Sequence, residues 1–190
     1  MATDAGIEMS ECQLFKGQSG KAYFGTKRFD RQGNNRLHLQ SAAGMMDDNF
    51  RLSTLDYGHL MDCAFRLERD VKAYEKVLRL AAFNVFANNR DDHSKNFSFL
   101  MDATGKWQLA PAYDLTFSYS GHGFHSTMVA GESAKPTREH LMKLATHFNI
   151  KNAATVIDEV QSVIANWKKY AALYGVKSAS KKQIQKVINC

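Results

Sequence analysis

The sequence predicts an α+β fold, mainly α, folded as one domain. Three observations predict it. The front third alternates apolar and polar residues between turn formers. A central pair of apolar segments flanks Asp102-Ala103-Thr104-Gly105, the composition of a hairpin turn. Most of the remainder carries apolar residues at helical spacing.

Element by element, residues 11–16 and 21–29 flank Gly17-Gln18-Ser19-Gly20 and read as a hairpin. A second turn, Asp30-Arg31-Gln32-Gly33-Asn34-Asn35, leads into a third strand at 36–40, completing a small antiparallel meander over residues 1–40. The chain then turns helical for residues 41–190. One helix is expected at 57–67 and a stronger one at 68–87, where Val71, Tyr74, Leu78, Ala81, Ala82 and Val85 form an apolar stripe. Asn88 and Asn89 suit its end. The hairpin follows at 97–101 and 106–110, closed by Pro111. Residues 118–135 are rich in Gly and Ser and read as a long loop. Thr137 caps the next helix, to about residue 148. Val156, Ile157, Val160, Val163, Ile164 and Trp167 line another, and Ser180 with Gln183 forms a capping box for the last.

The bulk properties exclude several classes. At 190 residues the chain can bury a real core, and 44% hydrophobic with 23% charged residues is the balance of a soluble globular protein. No run of eighteen apolar residues predicts a membrane span. Met1-Ala2-Thr3-Asp4 lacks the basic and apolar regions of a signal peptide. Cys12, Cys63 and Cys190 are odd in number and widely spaced, as expected of reduced thiols in the cytoplasm. The net charge of +6 gathers near the C-terminus, at Lys168, Lys169, Lys177, Lys181, Lys182 and Lys186, as on a solvated helix face. No motif that reads DNA sequence accompanies it, so direct sequence-specific nucleic-acid binding is not expected.

The chemistry concentrates in Asn88-Asn89-Arg90-Asp91-Asp92-His93-Ser94-Lys95-Asn96-Phe97. Asp91 and Asn96 stand five residues apart before a strand, the spacing with which kinase-type phosphotransferases hold a proton acceptor and a metal ligand beside ATP. The hairpin returns its second strand to the edge where the first began, so Asp114 can lie near Asn96. Mg²⁺ takes a few hard oxygen ligands and leaves the rest to phosphate and water. Read from the residues alone, two accounts stand: a phosphoryl-transfer site, or a loop whose Asp and Asn bond only their own backbone. A third, a metal-dependent hydrolase on Asp91, Asp92, His93 and Asp114, lacks a further ligand cluster. Gly17-Gln18-Ser19-Gly20-Lys21 is not a P-loop, because Phe15 and Ala22 stand where that motif needs Gly and Ser or Thr. His122 and His125 have H-x-x-H spacing on a glycine-rich loop bordering the cleft and read as surface. Trp107, Trp167, Met45 and Met46 read as core.

Asp91-x-His93-x-Lys95-Asn96-Phe97, followed by Leu109-Ala110-Pro111-Ala112-Tyr113-Asp114, resembles the paired motifs of the HipA family of bacterial toxin kinases. Lys27-Arg28-Phe29-Asp30-Arg31 resembles that family's hinge segment, and Arg36-Leu37-His38 the segment after it. The four segments stand in the family's order, and the resemblance spans about residues 5–173. It implies a kinase-like C-terminal lobe (41–190) with a catalytic β-hairpin, behind a meander and hinge (1–40) left from an N-terminal lobe. It implies that Asp91 accepts the substrate hydroxyl proton, that Asn96 and Asp114 bind Mg²⁺, and that Lys95 meets phosphate. His93 braces the loop or joins the chemistry. Arg28, Phe29 and Asp30 would face the base of ATP, although Lys27 replaces the family's usual acid. The implied activity is a serine/threonine protein kinase of a toxin–antitoxin system. Its substrate could be an aminoacyl-tRNA synthetase and its partner a DNA-binding antitoxin. Only about fifteen residues precede the meander, so the lobe carrying the phosphate-covering loop and its lysine is expected to lie mostly outside this sequence. A non-catalytic module docking an antitoxin or a separate lobe is the alternative.

Overall fold

The computed structural model describes residues 1–119 and 121–188. Cys190 and Ser120 of the 118–135 loop lie outside the described residues. Strands β1 (Cys12–Lys16) and β2 (Ala22–Thr26) pair antiparallel, with Leu14 opposite Phe24. Strands β3 (Arg31–Gln32) and β4 (Asn35–Arg36) form a second, minimal hairpin. Gly33 at its tip has φ 61, a conformation glycine adopts without the Cβ penalty. The expected single meander is corrected here. Strand β5 (His38–Ser41) leaves its sequence neighbours and pairs with β6 (Ser98–Met101), which pairs in turn with β7 (Trp107–Leu109). Burial explains the choice. Phe99 on β6 is fully buried and Leu100 nearly so, whereas the β1–β2 hairpin exposes most of its side chains.

The helices are α1 (Ala42–Met45), α2 (Tyr57–Glu68), α3 (Lys72–Phe86), α4 (Arg138–His147), α5 (Ala153–Ala165), α6 (Trp167–Leu173) and α7 (Ser178–Gln185). Helix α2 starts with a capping box between Asp56 and His59, and α4 with one between Thr137 and His140. Two helices were expected to meet at residues 67 and 68; the break between α2 and α3 falls instead at residues 69–71, so α3 starts later than expected. Arg69 turns left-handed at φ 55, and the Asp70 carboxylate accepts the Lys72 N–H at 2.9 Å. Val71 therefore falls outside the buried stripe and is exposed. The expected capping box on α7 is also absent: Lys177 holds the cap position without a side-chain bond, and Ser180 lies inside the helix.

Tyr57, Leu60 and Met61 of α2, Val77, Leu78 and Ala81 of α3, Leu141 of α4 and Ile157 and Ile164 of α5 form one core with Phe97 and Phe99. The N-terminal segment is strapped over this core. Ala5 is buried, its carbonyl accepts from Arg79 Nη1 at 2.9 Å, and Arg79 also bonds Glu159. The Glu8 carbonyl accepts the Ala112 N–H at 2.8 Å, which ties the segment to the chain that leads to Asp114. Glu68 closes the outer edge of β7 by accepting the Leu109 N–H at 2.8 Å, so that strand leaves less unpaired backbone. No described helix is long and apolar enough to cross a membrane.

Candidate functional site

Helix α3 ends in a polar turn built on buried asparagines. Asn84 sits in the buried stripe, its Oδ1 accepting from Asn89 Nδ2 at 3.0 Å and its Nδ2 donating to the Tyr57 hydroxyl at 2.8 Å. Asn88 takes a left-handed φ of 53 and reverses the chain, its carbonyl accepting the Ser118 N–H at 3.0 Å and its Nδ2 donating to the Ser118 carbonyl at 3.0 Å. The side chains that follow alternate: Asp91 is exposed, Asp92 buried, His93 half-buried, Ser94 buried, Lys95 exposed.

Asp92 turns inward and organises the loops around it. Its Oδ2 accepts from the Tyr57 hydroxyl at 2.8 Å and lies 3.2 Å from His125 Nδ1. Its Oδ1 accepts the backbone N–H of Ser126 at 2.8 Å and of Thr127 at 3.2 Å, and its carbonyl accepts from Thr127 Oγ1. A buried carboxylate is tolerated when its lone pairs are filled in this way. Burial, with Asp92 beside it, pushes the Tyr57 phenol well above its ordinary range. Through these bonds the glycine-rich 118–135 loop is fastened to α2 and α3, and Thr127 and Val129 are fully buried. His125 belongs to this network while His122 is exposed, so the two do not form a metal pair. Among the described residues no three His, Cys, Asp or Glu side chains form a metal-holding group. With Asp92 spent inside, the hydrolase set loses one of its acids.

Ser94–Asn96 forms a single 3₁₀ turn closed by the Asn96 N–H on the His93 carbonyl at 2.8 Å. Asn96 Nδ2 donates to the Asp91 carbonyl at 2.8 Å. That bond fixes the amide so that Oδ1, its acceptor, is left for another group. The Asp91 carboxylate is 55% exposed, and its nearest ionic neighbour is His93 Nε2 at 3.8 Å. His93 Nδ1 is buried without a hydrogen-bond partner among the described residues, so His93 braces the loop by packing rather than by hydrogen bonds.

Asp114 follows the hairpin in a left-handed conformation, φ 54, sparsely populated by non-glycine residues and concentrated at functional sites. Its carboxylate is exposed and makes no hydrogen bond to another described residue. Tyr113 supplies the link across the hairpin mouth. Its hydroxyl lies 2.5 Å from Ser98 Oγ and donates to the Lys95 carbonyl at 2.6 Å. Burial first, and Asp114 in addition, push the Tyr113 phenol up. The Phe29 ring lies 5.8 Å from that of Tyr113, which brings the hinge segment to the same mouth.

Asp30 is committed elsewhere. Its carboxylate accepts from Arg28 Nε at 2.8 Å and Nη2 at 2.6 Å, and also from Arg31. The Arg28 bonds lead in holding its pKa at about 2 against an ordinary 3.8. A carboxyl depressed on folding stabilises above its unfolded pKa, and that contribution is lost as pH falls through the folded value. Asp30→Asn is therefore expected to be less stable than wild type above pH ~4, and the gap to close toward pH ~2; urea midpoints across that range check it.

The loop thus presents an exposed carboxylate at Asp91 and a free amide oxygen at Asn96, with the Asp114 carboxylate beyond Tyr113. Hard oxygen donors of this kind suit Mg²⁺, and the aromatic side of Phe29 suits a base. Tyr113, Tyr57, Asn84 and Phe50, which packs on this loop, carried no role in the sequence. Tyr113 stood inside a motif. Asn84 was a polar residue in an apolar stripe, a signal that a buried network needs it.

The family profile described as HipA-like C-terminal domain matches residues 1–167. A search of curated proteins finds no match. Among solved structures, HipA in the complex "Shewanella oneidensis MR-1 Toxin Antitoxin System HipA, HipB and its operator DNA" shares the fold, with a TM-score of 0.58 at 20% identity. The alignment covers 84% of this chain and 46% of that one, so the chain spans less than half the length of this HipA. With the profile covering most of its length, the chain belongs to the HipA-like C-terminal domain family.

Proposed function

We propose that this chain is the catalytic lobe of an ATP- and Mg²⁺-dependent serine/threonine protein kinase of a toxin–antitoxin system, working with a separate phosphate-binding lobe. The observation that carries the reading is the Asp91–Asn96 loop joined through Tyr113 to Asp114. Asp91 would accept the proton of a protein hydroxyl, its exposed carboxylate making no hydrogen bond among the described residues. Asn96 Oδ1 and Asp114 would hold Mg²⁺, which when bound neutralises phosphate charge. Lys95 adds a cation beside them, and Phe29 a wall for the adenine. Arg28 and Asp30 act on the nucleotide only indirectly, by fixing the hinge that presents Phe29. The Shewanella complex contains HipB and operator DNA, which supports an antitoxin as the partner; an aminoacyl-tRNA synthetase is the substrate class the family suggests.

Titration of ATP with Mg²⁺ into the purified chain tests this. Wild type is expected to bind only with Mg²⁺ present. Asp114→Ala is expected to bind about tenfold more weakly or worse, since it removes a charged ligand. Mg²⁺-independent binding, or unchanged binding by Asp114→Ala, refutes the assignment. One observation favours a second reading, a docking module without turnover. Leu14, Phe15, Tyr23 and Phe24 of the β1–β2 hairpin are 53–69% exposed, as an interaction surface requires. Absence of any nucleotide binding selects that reading.

A further inference from the structure

We propose that Phe50 is a positioning residue for the Asp91–Asn96 loop, its ring holding the Lys95 ammonium in place at the mouth of the phosphate site. The proposal rests on the kinase reading above. Lys95 Nζ lies over the Phe50 ring, 3.7 Å from its centroid. The His93 ring meets the same ring edge-on at 5.4 Å, and Arg51 Cζ lies 4.7 Å from its centroid. A side chain more than forty residues upstream thus touches two members of the candidate site and gathers two cations there. Among the described residues Lys95 makes no ion pair, so the aromatic face is what orders its ammonium.

The ring itself is fixed. Phe50 lies on the coil between α1 and α2, and that coil is pinned at two points. Asp48 Oδ2 accepts from Ser94 Oγ, within the 3₁₀ turn. Asp48 Oδ1 accepts from Ser53 Oγ at 2.9 Å, and Ser53 Oγ accepts the Leu55 N–H at 3.0 Å, just before α2. Ser94 is fully buried and Asp48 half-buried, so this fastening is partly shielded from water. A lysine carries considerable rotamer entropy. Holding its ammonium over a fixed ring removes part of that cost before an anion arrives, which is preorganisation. An aliphatic side chain of similar size would pack against His93 yet offer no negative face to the ammonium. That difference is what a test can separate.

Proton NMR of the 190-residue chain reads the contact directly. The Lys95 ε-methylene signals are expected upfield of those of other lysines, to return to ordinary positions in Phe50→Leu, and to stay upfield in Phe50→Tyr. In Mg²⁺–ATP titrations Phe50→Leu is expected to weaken binding about two- to fivefold, the size of an exposed cation–π contact. Phe50→Tyr should restore it. Lys95→Met should weaken binding at least as much, with no further loss in the double variant, because one interaction is being removed. Unshifted Lys95 signals in wild type, or additive losses in the double variant, overturn the role of Phe50 while leaving the kinase reading standing. Failure of wild type to bind Mg²⁺–ATP overturns the kinase reading, and with it the nucleotide role of Phe50, even where the Lys95 signals are shifted.

Discussion

Replacing Asp92 with Ala is expected to lower the stability of the chain by about 3–5 kcal/mol, the range for breaking a buried charged network by removing one partner. The carboxylate is 1% exposed and serves the Tyr57 hydroxyl, the Ser126 and Thr127 N–H groups and His125. Its loss leaves these donors buried without an acceptor, and each such group costs its own desolvation. Asp92→Asn keeps the shape and one acceptor oxygen, and turns an amide N–H₂ toward groups that themselves donate. Its expected cost is smaller, about 1–3 kcal/mol. Urea unfolding of the two variants measures both values. Stability of Asp92→Ala within about 0.5 kcal/mol of wild type, the scale of an ordinary surface change, refutes the network as a stabilising element. The same substitution should loosen the 118–135 loop, since the bonds from Ser126, Thr127 and His125 all end on Asp92; amide hydrogen exchange at Ser126 and Thr127 should rise with it.

Neighbouring acids therefore face opposite ways, Asp91 exposed and Asp92 buried, and the sequence does not say which is which. Asp91-Asp92 is one dipeptide, and nothing local tells that the second faces Tyr57, thirty-five residues upstream. The spacing from Asp91 to Asn96 and the hairpin that returns toward Asp114 were legible because both are short-range patterns with a fixed geometry. The apolar stripes of α3 and α5 were legible for the same reason: periodicity reports the buried face of a helix without reference to its partner. Strand β5 was legible as a strand but not in its pairing. Its alternation is satisfied equally by β4 or by β6, and only the buried Phe99 across the sheet decides. The boundary before α3 was legible but its extent was not, and α3 starts at Lys72 rather than residue 68, because a left-handed arginine leaves little compositional trace. The 118–135 loop was recognisable as irregular. Its order comes from Thr127, His125 and Val129 reaching into the interior, a tertiary effect that Gly and Ser content conceals. Phe50 had no local signal at all, since its partners lie at Lys95 and His93.

Asp91→Asn should separate binding from transfer. An asparagine has nearly the same shape and can accept a hydrogen bond from a substrate hydroxyl, but it cannot take up the proton. The Asp91 contribution that fixes the loop is its backbone carbonyl, which receives Asn96 Nδ2, and the substitution leaves that bond in place. The side chain is 55% exposed and approaches His93 no closer than 3.8 Å, so stability should stay within about 0.5 kcal/mol of wild type. Mg²⁺–ATP affinity should likewise stay within about twofold, because the metal ligands proposed are Asn96 and Asp114. Phosphoryl transfer to a protein hydroxyl, measured with the phosphate-binding lobe supplied, should fall about 10²- to 10⁴-fold, the span of a lost general base. Transfer retained within tenfold would remove Asp91 from that role. The acids then give three different signatures: Asp92 variants lose stability, Asp114→Ala loses nucleotide, and Asp91→Asn loses turnover alone. A loop without a nucleotide site would keep the stability difference between Asp92 and Asp91, which rests on burial alone. It would show neither the loss of nucleotide in Asp114→Ala nor the loss of turnover in Asp91→Asn.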